Sequence, residues 1–276
     1  MTAVDLYLSQ PFAQHALIAG TLVAITCGLI SPLVVTRGMA FAVHGTSELA
    51  FTGAAAGLLF FDNPIGGALI GASVVALVIG LLGVRERERD STIGVILAFG
   101  LGLGVLFLSY YHGFATAATN ILFGNIFGVS NEQLGALVAI AIGVTGVMLV
   151  IYRPLLFASV DPEVAAARGV RVRLLGVVFL VVLAFTVTEA AQVVGTLLVL
   201  SLAITPAAAA QRLSPSPVVV TGLSMLFALV AADGGILASL ASTTVKPSVF
   251  VTSFSFAIYV LARLVGPHIR GRRVAA

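Results

Sequence analysis

Charge is what this chain has least of. Only 9% of its 276 residues are Asp, Glu, Lys or Arg, while 59% are hydrophobic; a soluble globular domain carries about 25% charged residues. No stretch is polar enough to stand apart as a soluble unit, so residues 1–276 read as one integral membrane domain. There is a single cysteine, Cys27, inside an apolar run. With no disulfide partner and no CxxC companion it excludes a cysteine-based structural zinc site, and it reads as a small buried residue. The chain has no Walker A sequence and no HExxH, so neither ATP hydrolysis by this chain nor zinc-type intramembrane proteolysis is expected. Three Gly-x-Ser triplets occur in the apolar spans, ending at Ser47, Ser73 and Ser224. None continues as the GxSG of a rhomboid-like protease or the GxSxG of a nucleophile elbow. With no catalytic set in sight, the chain is expected not to be an enzyme.

What the chain has in abundance is long apolar segments. A transmembrane helix needs about 20 mostly apolar residues. Spans are expected at roughly 15–36, 39–61, 65–84, 92–111, 134–152, 174–190, 192–211, 217–240 and 248–266. The expected fold is an all-α polytopic bundle of about nine helices, eight to ten by this criterion. Residues 1–14 lack a basic stretch and a clear small-residue cleavage site, so no cleaved signal peptide is expected ahead of the first span. With the N-terminus outside, Arg37, the 85–90 run, the 153–173 stretch, Arg212 and the tail from Arg263 onward all face one compartment. Of the fourteen Lys and Arg residues only Lys246 faces the other. The positive-inside rule makes the crowded side the cytoplasm. That places the protein in the plasma (inner) membrane with a cytoplasmic C-terminus and an extracytoplasmic N-terminus. Topology thereby accounts for the net charge of +3, and no nucleic-acid partner is implied.

Several local patterns carry structural expectations. The run 85–90 alternates in sign and reads as a solvated turn, with Asp90 or Ser91 capping the next helix. Gly100, Gly102 and Gly104 lie inside a span, where small residues mark helix–helix faces; a dinucleotide-binding loop would need a strand before it. Loop 112–133 is outside, and its apolar part, 121–129, is placed to lie in the interface or to re-enter. Loop 153–173 is inside and contains a short helix, with Asp161 as N-cap, Pro162 as first helical residue and Gly169 as its stop. That helix reads as a plain connection or as a docking element. Thr205-Pro206 falls within a span, where proline removes a backbone hydrogen bond and favours a kink.

A few ionisable residues lie inside the spans. His44 and Glu48 are four apart and share one face of a helix. Burying a charge at mid-bilayer costs about 3 kcal/mol on insertion scales, and such residues usually face a cavity. An imidazole and a carboxylate are also suitable ligands for divalent first-row metals. The alternative is a His–Glu hydrogen bond that satisfies both groups. Two ligands are too few for a closed site, which suits an ion that must leave again. Glu189 lies near the outer end of its span and reads as snorkelling to water, with a pathway role as the second reading. Asp233, beside Gly234 and Gly235, is placed to cap a broken helix or to face a pathway. His112 and His15 read as exposed or interfacial.

Three segments together resemble the membrane permease subunit of ABC importers for zinc, manganese or iron. They are Arg37-Gly38-Met39 with the His44/Glu48 helix and Gly53; Asp161-Pro162-Glu163 with Ala166-Ala167-Arg168-Gly169-Val170; and Val193 to Val199 through Pro206-Ala207-Ala208. The resemblance spans about residues 20 to 265. It implies a homodimer, a separate ATP-binding subunit docking on Asp161, Pro162, Glu163, Arg168 and Gly169, an extracytoplasmic metal-binding protein, and contact with membrane lipid. His44 and Glu48 would coordinate the transported Zn, Mn or Fe cation transiently, with Asp233 and Glu189 as lesser candidates. No permanently bound cofactor is implied. Two departures stand out. The family's second-span pair usually runs Asp then His, whereas here the order is His44 then Glu48. The family's late loop often has an Asp where residues 242–248 of this chain have no acid. The alternative function is a stand-alone secondary cation transporter or channel with 44, 48, 189 and 233 as a relay. The capped 161–169 helix and the absence of a convincing inverted repeat weigh against it. A structural membrane protein with no pathway ranks last, because it gives the buried pair no role beyond packing.

Overall fold

Inside a bilayer every backbone N–H and C=O must find a partner within the protein, which leaves an apolar chain of this kind the helix. The computed structural model describes residues 10–82, 86–111, 124–196, 198–242 and 244–274, and among these every regular element is helical. In chain order they are α1 (Pro11–Thr36), α2 (Ala40–Phe61), α3 (Pro64–Leu82), α4 (Glu86–Tyr110), α5 (Asn131–Val160), α6 (Pro162–Ala167), α7 (Val172–Val194), α8 (Val199–Ala203), α9 (Thr205–Leu213), α10 (Pro217–Ser242) and α11 (Pro247–Val274), with a 3-10 turn at Ile126–Gly128.

Among the described residues six helices are long and apolar enough to cross a membrane: α1, α4, α5, α7, α10 and α11. This differs from the expected count of about nine for identifiable reasons. The polar string from His44 to Glu48 dilutes the hydropathy of α2, although that helix has 22 residues. The apolar part of α3 is short. The expected span at 192–211 is not one helix. It breaks at Gly195, whose φ of +99° favours glycine, and again at Ile204 between α8 and α9. The second break is the one foreseen at Thr205-Pro206. Pro206 has no N–H for the carbonyl of Leu202. Ser31 on α1 covers the exposed carbonyls, its Oγ standing 2.7 Å from Ala203 O, 3.3 Å from Leu202 O and 2.6 Å from its own helix's Cys27 O. The turn expected at 85–90 also differs. Helix α4 already begins at Glu86, so neither Asp90 nor Ser91 caps it. Glu and Arg are strong helix formers.

Small residues set the closest approaches. A methyl on Gly53 would strike the carbonyl of Gly67 and come within 3.0 Å of Gly71 Cα, and one on Gly57 would come within 2.8 Å of Gly67 Cα. Helices α2 and α3 therefore touch backbone to backbone. Gly100 and Gly104 admit Leu49, Phe51 and Thr52 of α2, as expected, and Thr52 Oγ1 donates to Gly100 O at 2.8 Å. Gly102 faces open space instead. On the other side of the bundle Gly28 of α1 seats Met225 of α10.

These contacts also fix the directions of the helices. Thr36 meets Gln211 at 3.4 Å, Arg37 donates to Ser159 at 3.4 Å and lies over the Phe179 ring at 5.7 Å, and Gly266 abuts the Arg212 carbonyl. The ends of α1, α5, α9 and α11 thus gather with the start of α7 at one basic end. At the opposite end His15 Nδ1 lies 3.3 Å from Val129 O, and Ser239 donates to Val245 O beside Lys246. Substituting Gly67→Val is expected to force α2 and α3 apart and cost about 1–3 kcal/mol, read as a lower melting temperature of the purified protein; Gly102→Val, facing open space, is the control and should leave it unchanged.

Candidate functional site

Helix α2 carries a polar string, His44 to Glu48, in the membrane interior. Its hydroxyls turn back on their own helix: Thr46 Oγ1 donates to Ala42 O at 2.7 Å and Ser47 Oγ to His44 O at 2.9 Å. His44 and Glu48 behave differently. His44 is half-buried, with its ring centroid 6.2 Å from that of Phe41. Its Nδ1 is buried and has no hydrogen-bond partner among the described residues. The intrahelical bond that would have satisfied the imidazole through this atom is not formed. Glu48, one turn on, is only 5% exposed. The pair therefore offers an unused ring nitrogen and a nearly buried carboxylate on one helix face. Among the described residues no group of three or more His, Cys, Asp or Glu side chains converges to hold a metal. One chain brings two candidate donors, His44 and Glu48, to one helix face.

The other acids stand elsewhere, and both correct the sequence reading. Glu189 does not snorkel; it is 0% exposed. The segment after residue 124 folds over the end of α7, with Gly124 pressed on the backbone of Val193, Val194 and Gly195. Thr26 of α1 donates to Glu189 Oε2 at 3.2 Å, while Oε1 is buried without a partner. Asp233 does not cap a broken helix, because α10 runs through it unbroken. Gly234 and Gly235 serve instead to admit Phe254 and Val251 of α11. Thr21 of α1 donates to the Asp233 carboxylate, 3.1 Å from Oδ2 and 3.3 Å from Oδ1. The structure thus pairs His44 with Glu48 on one helix and ties Glu189 and Asp233 separately to α1. His112 and residues 121–123 lie outside the described residues. The described remainder of the apolar stretch packs on the bundle rather than in the interface: Ile126 is buried and Phe127 stacks edge-on against Phe12 at 5.8 Å.

The short helix at 161–169 forms as its sequence dictates. Asp161 caps α6 by accepting from Val164 N at 3.0 Å, and Pro162 opens it. Gly169 ends it with φ +82°, donating to Ala166 O while Val170 donates to Ala165 O, the paired bonds of a Schellman stop. Ala165 alone is buried; Glu163, Val164 and Arg168 are exposed. The result is a rigid, solvent-facing knob that joins α5 to α7 at the basic end.

Sequence reasoning missed a cavity of about 250 Å³ at the opposite end, between α2, α3, α5, α7 and the 3-10 turn. Its polar lining is Asn125, Gln133, Thr188, Gln192 and Thr196. These neutral residues come from scattered segments, and no motif links them.

Comparison with known proteins gives a consistent picture. The family model described as the ABC 3 transport family matches residues 9–266. A manganese transport system membrane protein, MntC of Halalkalibacterium halodurans, is 32% identical over 84% of this chain and 80% of its own. A high-affinity zinc uptake system membrane protein, ZnuB of Haemophilus influenzae, is 27% identical over 90% of this chain and 96% of its own. Among solved structures, PsaBC from Streptococcus pneumoniae in complex with Fab superposes with a TM-score of 0.87 over 99% of both chains, at 24% identity, a likeness of fold.

The geometry of α6 makes a direct prediction. Asp161→Ala removes the cap and should cost about 1 kcal/mol locally, seen as faster hydrogen exchange at residues 162–167 with the rest of the bundle unchanged.

Proposed function

The chain belongs to the ABC 3 transport family, and on that premise we propose that it is the transmembrane permease subunit of an ATP-binding cassette importer for a divalent transition-metal cation, zinc, manganese or iron. The observation that carries this is the half-site on α2, an imidazole with an unused nitrogen one turn from a nearly buried carboxylate. Two copies of the chain meeting with their α2 helices near the shared axis would supply four ligands, two His44 and two Glu48, to one ion. Four nitrogen and oxygen donors match the coordination number of zinc and suit manganese and iron(II) as well. The absence of Met and Cys beside the pair disfavours copper(I). The relatives named for manganese and for zinc support a metal of this class without choosing between them.

The remaining parts follow from the polarity of the bundle. By the positive-inside rule the basic end faces the cytoplasm, which puts the N-terminus outside, the C-terminus inside and α6 where a separate ATP-binding subunit docks. The capped helix offers it Glu163 and Arg168 on an exposed rigid turn. An extracytoplasmic metal-binding protein delivers the ion to the opposite end. ATP is hydrolysed by the partner, and the metal is cargo rather than a resident cofactor. A stand-alone secondary transporter would need no rigid knob on α6, and no second observation favours it.

Two experiments test this reading. His44→Ala and Glu48→Ala are each expected to lower metal uptake into cells or proteoliposomes about 10- to 100-fold or more while the chain still inserts and dimerises; wild-type uptake in both would remove the metal site. Charge reversal at Arg168, as Arg168→Glu, is expected to reduce co-purification of the ATP-binding subunit; unchanged co-purification and uptake would point to a carrier that works alone.

A further inference from the structure

The positive-inside rule asks only that a basic residue lie on the cytoplasmic side, and an exposed side chain would satisfy it. Arg37 is half-buried and turns into the bundle instead. Its Nη1 donates to Ser159 Oγ at 3.4 Å, in the last turn of α5. Ser159 in turn donates to Leu155 O at 2.6 Å. The cation therefore stands at a helix C-terminus, where positive charge is favoured. On its other side the guanidinium lies 5.7 Å from the ring centroid of Phe179, a fully buried residue of α7. That is within the range of a cation–π contact. One turn earlier on α7, a methyl on Gly176 would come within 3.6 Å of Nη2, so the guanidinium lies directly against this helix. Arg37 thus occupies the wedge between the end of α5 and the start of α7, the two helices that α6 joins.

The backbone of the same residue belongs to the corner between α1 and α2. Residues 37–39 make that corner, and each of their N–H groups is bonded back into α1. Arg37 donates to Leu33 O at 3.0 Å, Gly38 to Val35 O at 3.2 Å and Met39 to Val34 O at 2.9 Å. Gly38 has φ +61°, the left-handed conformation that closes such a helix stop. Met39 O then accepts from Val43 N at 3.1 Å, which starts α2. His44 is the next residue. A corner with every amide bonded moves as one piece, so a shift of residue 37 reaches the first turn of α2.

We propose that Arg37 is a positioning residue that couples the α6 knob to the helix carrying His44 and Glu48. Its side chain holds the ends of α5 and α7, and its backbone holds the start of α2. A displacement of α6 by the ATP-binding subunit is thereby passed to His44 without crossing the length of the bundle. Arginine suits this task better than lysine, because its planar fork can stack on Phe179 and bond Ser159 at once. The assignment rests on the importer reading, since it needs a partner that moves α6.

The test measures ions accumulated per ATP hydrolysed. The permease is reconstituted in proteoliposomes with its ATP-binding subunit and metal-binding protein. The probe is Mn2+, Zn2+ or Fe2+, whichever the wild type accumulates. Arg37→Gln should keep the ATP-binding subunit and its hydrolysis, while ions moved per ATP fall about fivefold or more. Arg37→Lys, which keeps the charge and loses the fork, should recover part of that ratio. A residue that merely stabilises the fold would lower hydrolysis and uptake together, so an unchanged ratio in Arg37→Gln overturns the assignment. If Arg37→Gln does not assemble, Ser159→Ala carries the test. It removes the acceptor on α5 and should lower the ratio at least about twofold; an unchanged ratio there overturns the assignment instead. A wild-type chain that retains no ATP-binding subunit would sink the importer reading, and the coupling role with it. A coupled wild type beside an equally coupled Arg37→Gln would remove the role of Arg37 alone.

Discussion

In a bilayer no water competes for a polar atom, so each one must be answered from within the bundle. Most of this chain obeys that constraint through hydroxyls. Thr46, Ser47, Thr186 and Thr188 return to carbonyls of their own helices. Ser31 covers the carbonyls that Pro206 leaves open, and Thr21 and Thr26 answer the carboxylates of Asp233 and Glu189. Against this background the few unanswered atoms stand out. Among the described residues they are His44 Nδ1 on α2, atoms of Glu189, Gln192 and Thr196 at and just beyond the end of α7, and the hydroxyls of Ser224, Ser242 and Ser255 on α10 and α11.

The second constraint is closeness. Helices in lipid gain little from hiding apolar surface and associate by packing. Gly53, Gly57, Gly67 and Gly71 bring α2 and α3 into backbone contact, while Gly100 and Gly104 hold α4 against the other side of α2. The helix that carries His44 and Glu48 is thus held chiefly by α3, α4 and α7, with α8 and α1 also in contact. A ligand pair on such a helix is positioned by backbone rather than by flexible side chains, which favours fixed geometry at a transient site.

Much of this was legible in the sequence because lipid simplifies the rules. Helical class, the polarity of the bundle, the α6 cap residues and the His44/Glu48 spacing each follow from a local pattern with one physical cause. What was not legible depended on long-range covering. Glu189 looks like an end-of-span residue, and only the fold of residues 124–129 over α7 shows that it is enclosed. Asp233 beside two glycines looks like a break, yet those glycines accommodate α11. The break at Gly195 carries a weaker local signal than Pro206, because glycine is common in membrane helices as a packing residue and only its positive φ distinguishes it here. The cavity drew its lining from five segments, none informative alone.

Asp161 does double duty: it bounds α5 at one side and caps α6 at the other, so no spare residue separates the two helices. Mechanically this is a joint without slack. A displacement imposed on the six-residue knob has no loop in which to dissipate and passes as torque into α5, a rod of about 45 Å at 1.5 Å per residue. The far end of that rod carries Gln133 and Leu137, which form part of the cavity wall. Pro154, which lacks the amide for one ladder bond, is the compliant point along its length. A displacement at the basic face would therefore reach the wall of the chamber at the opposite one by way of α5.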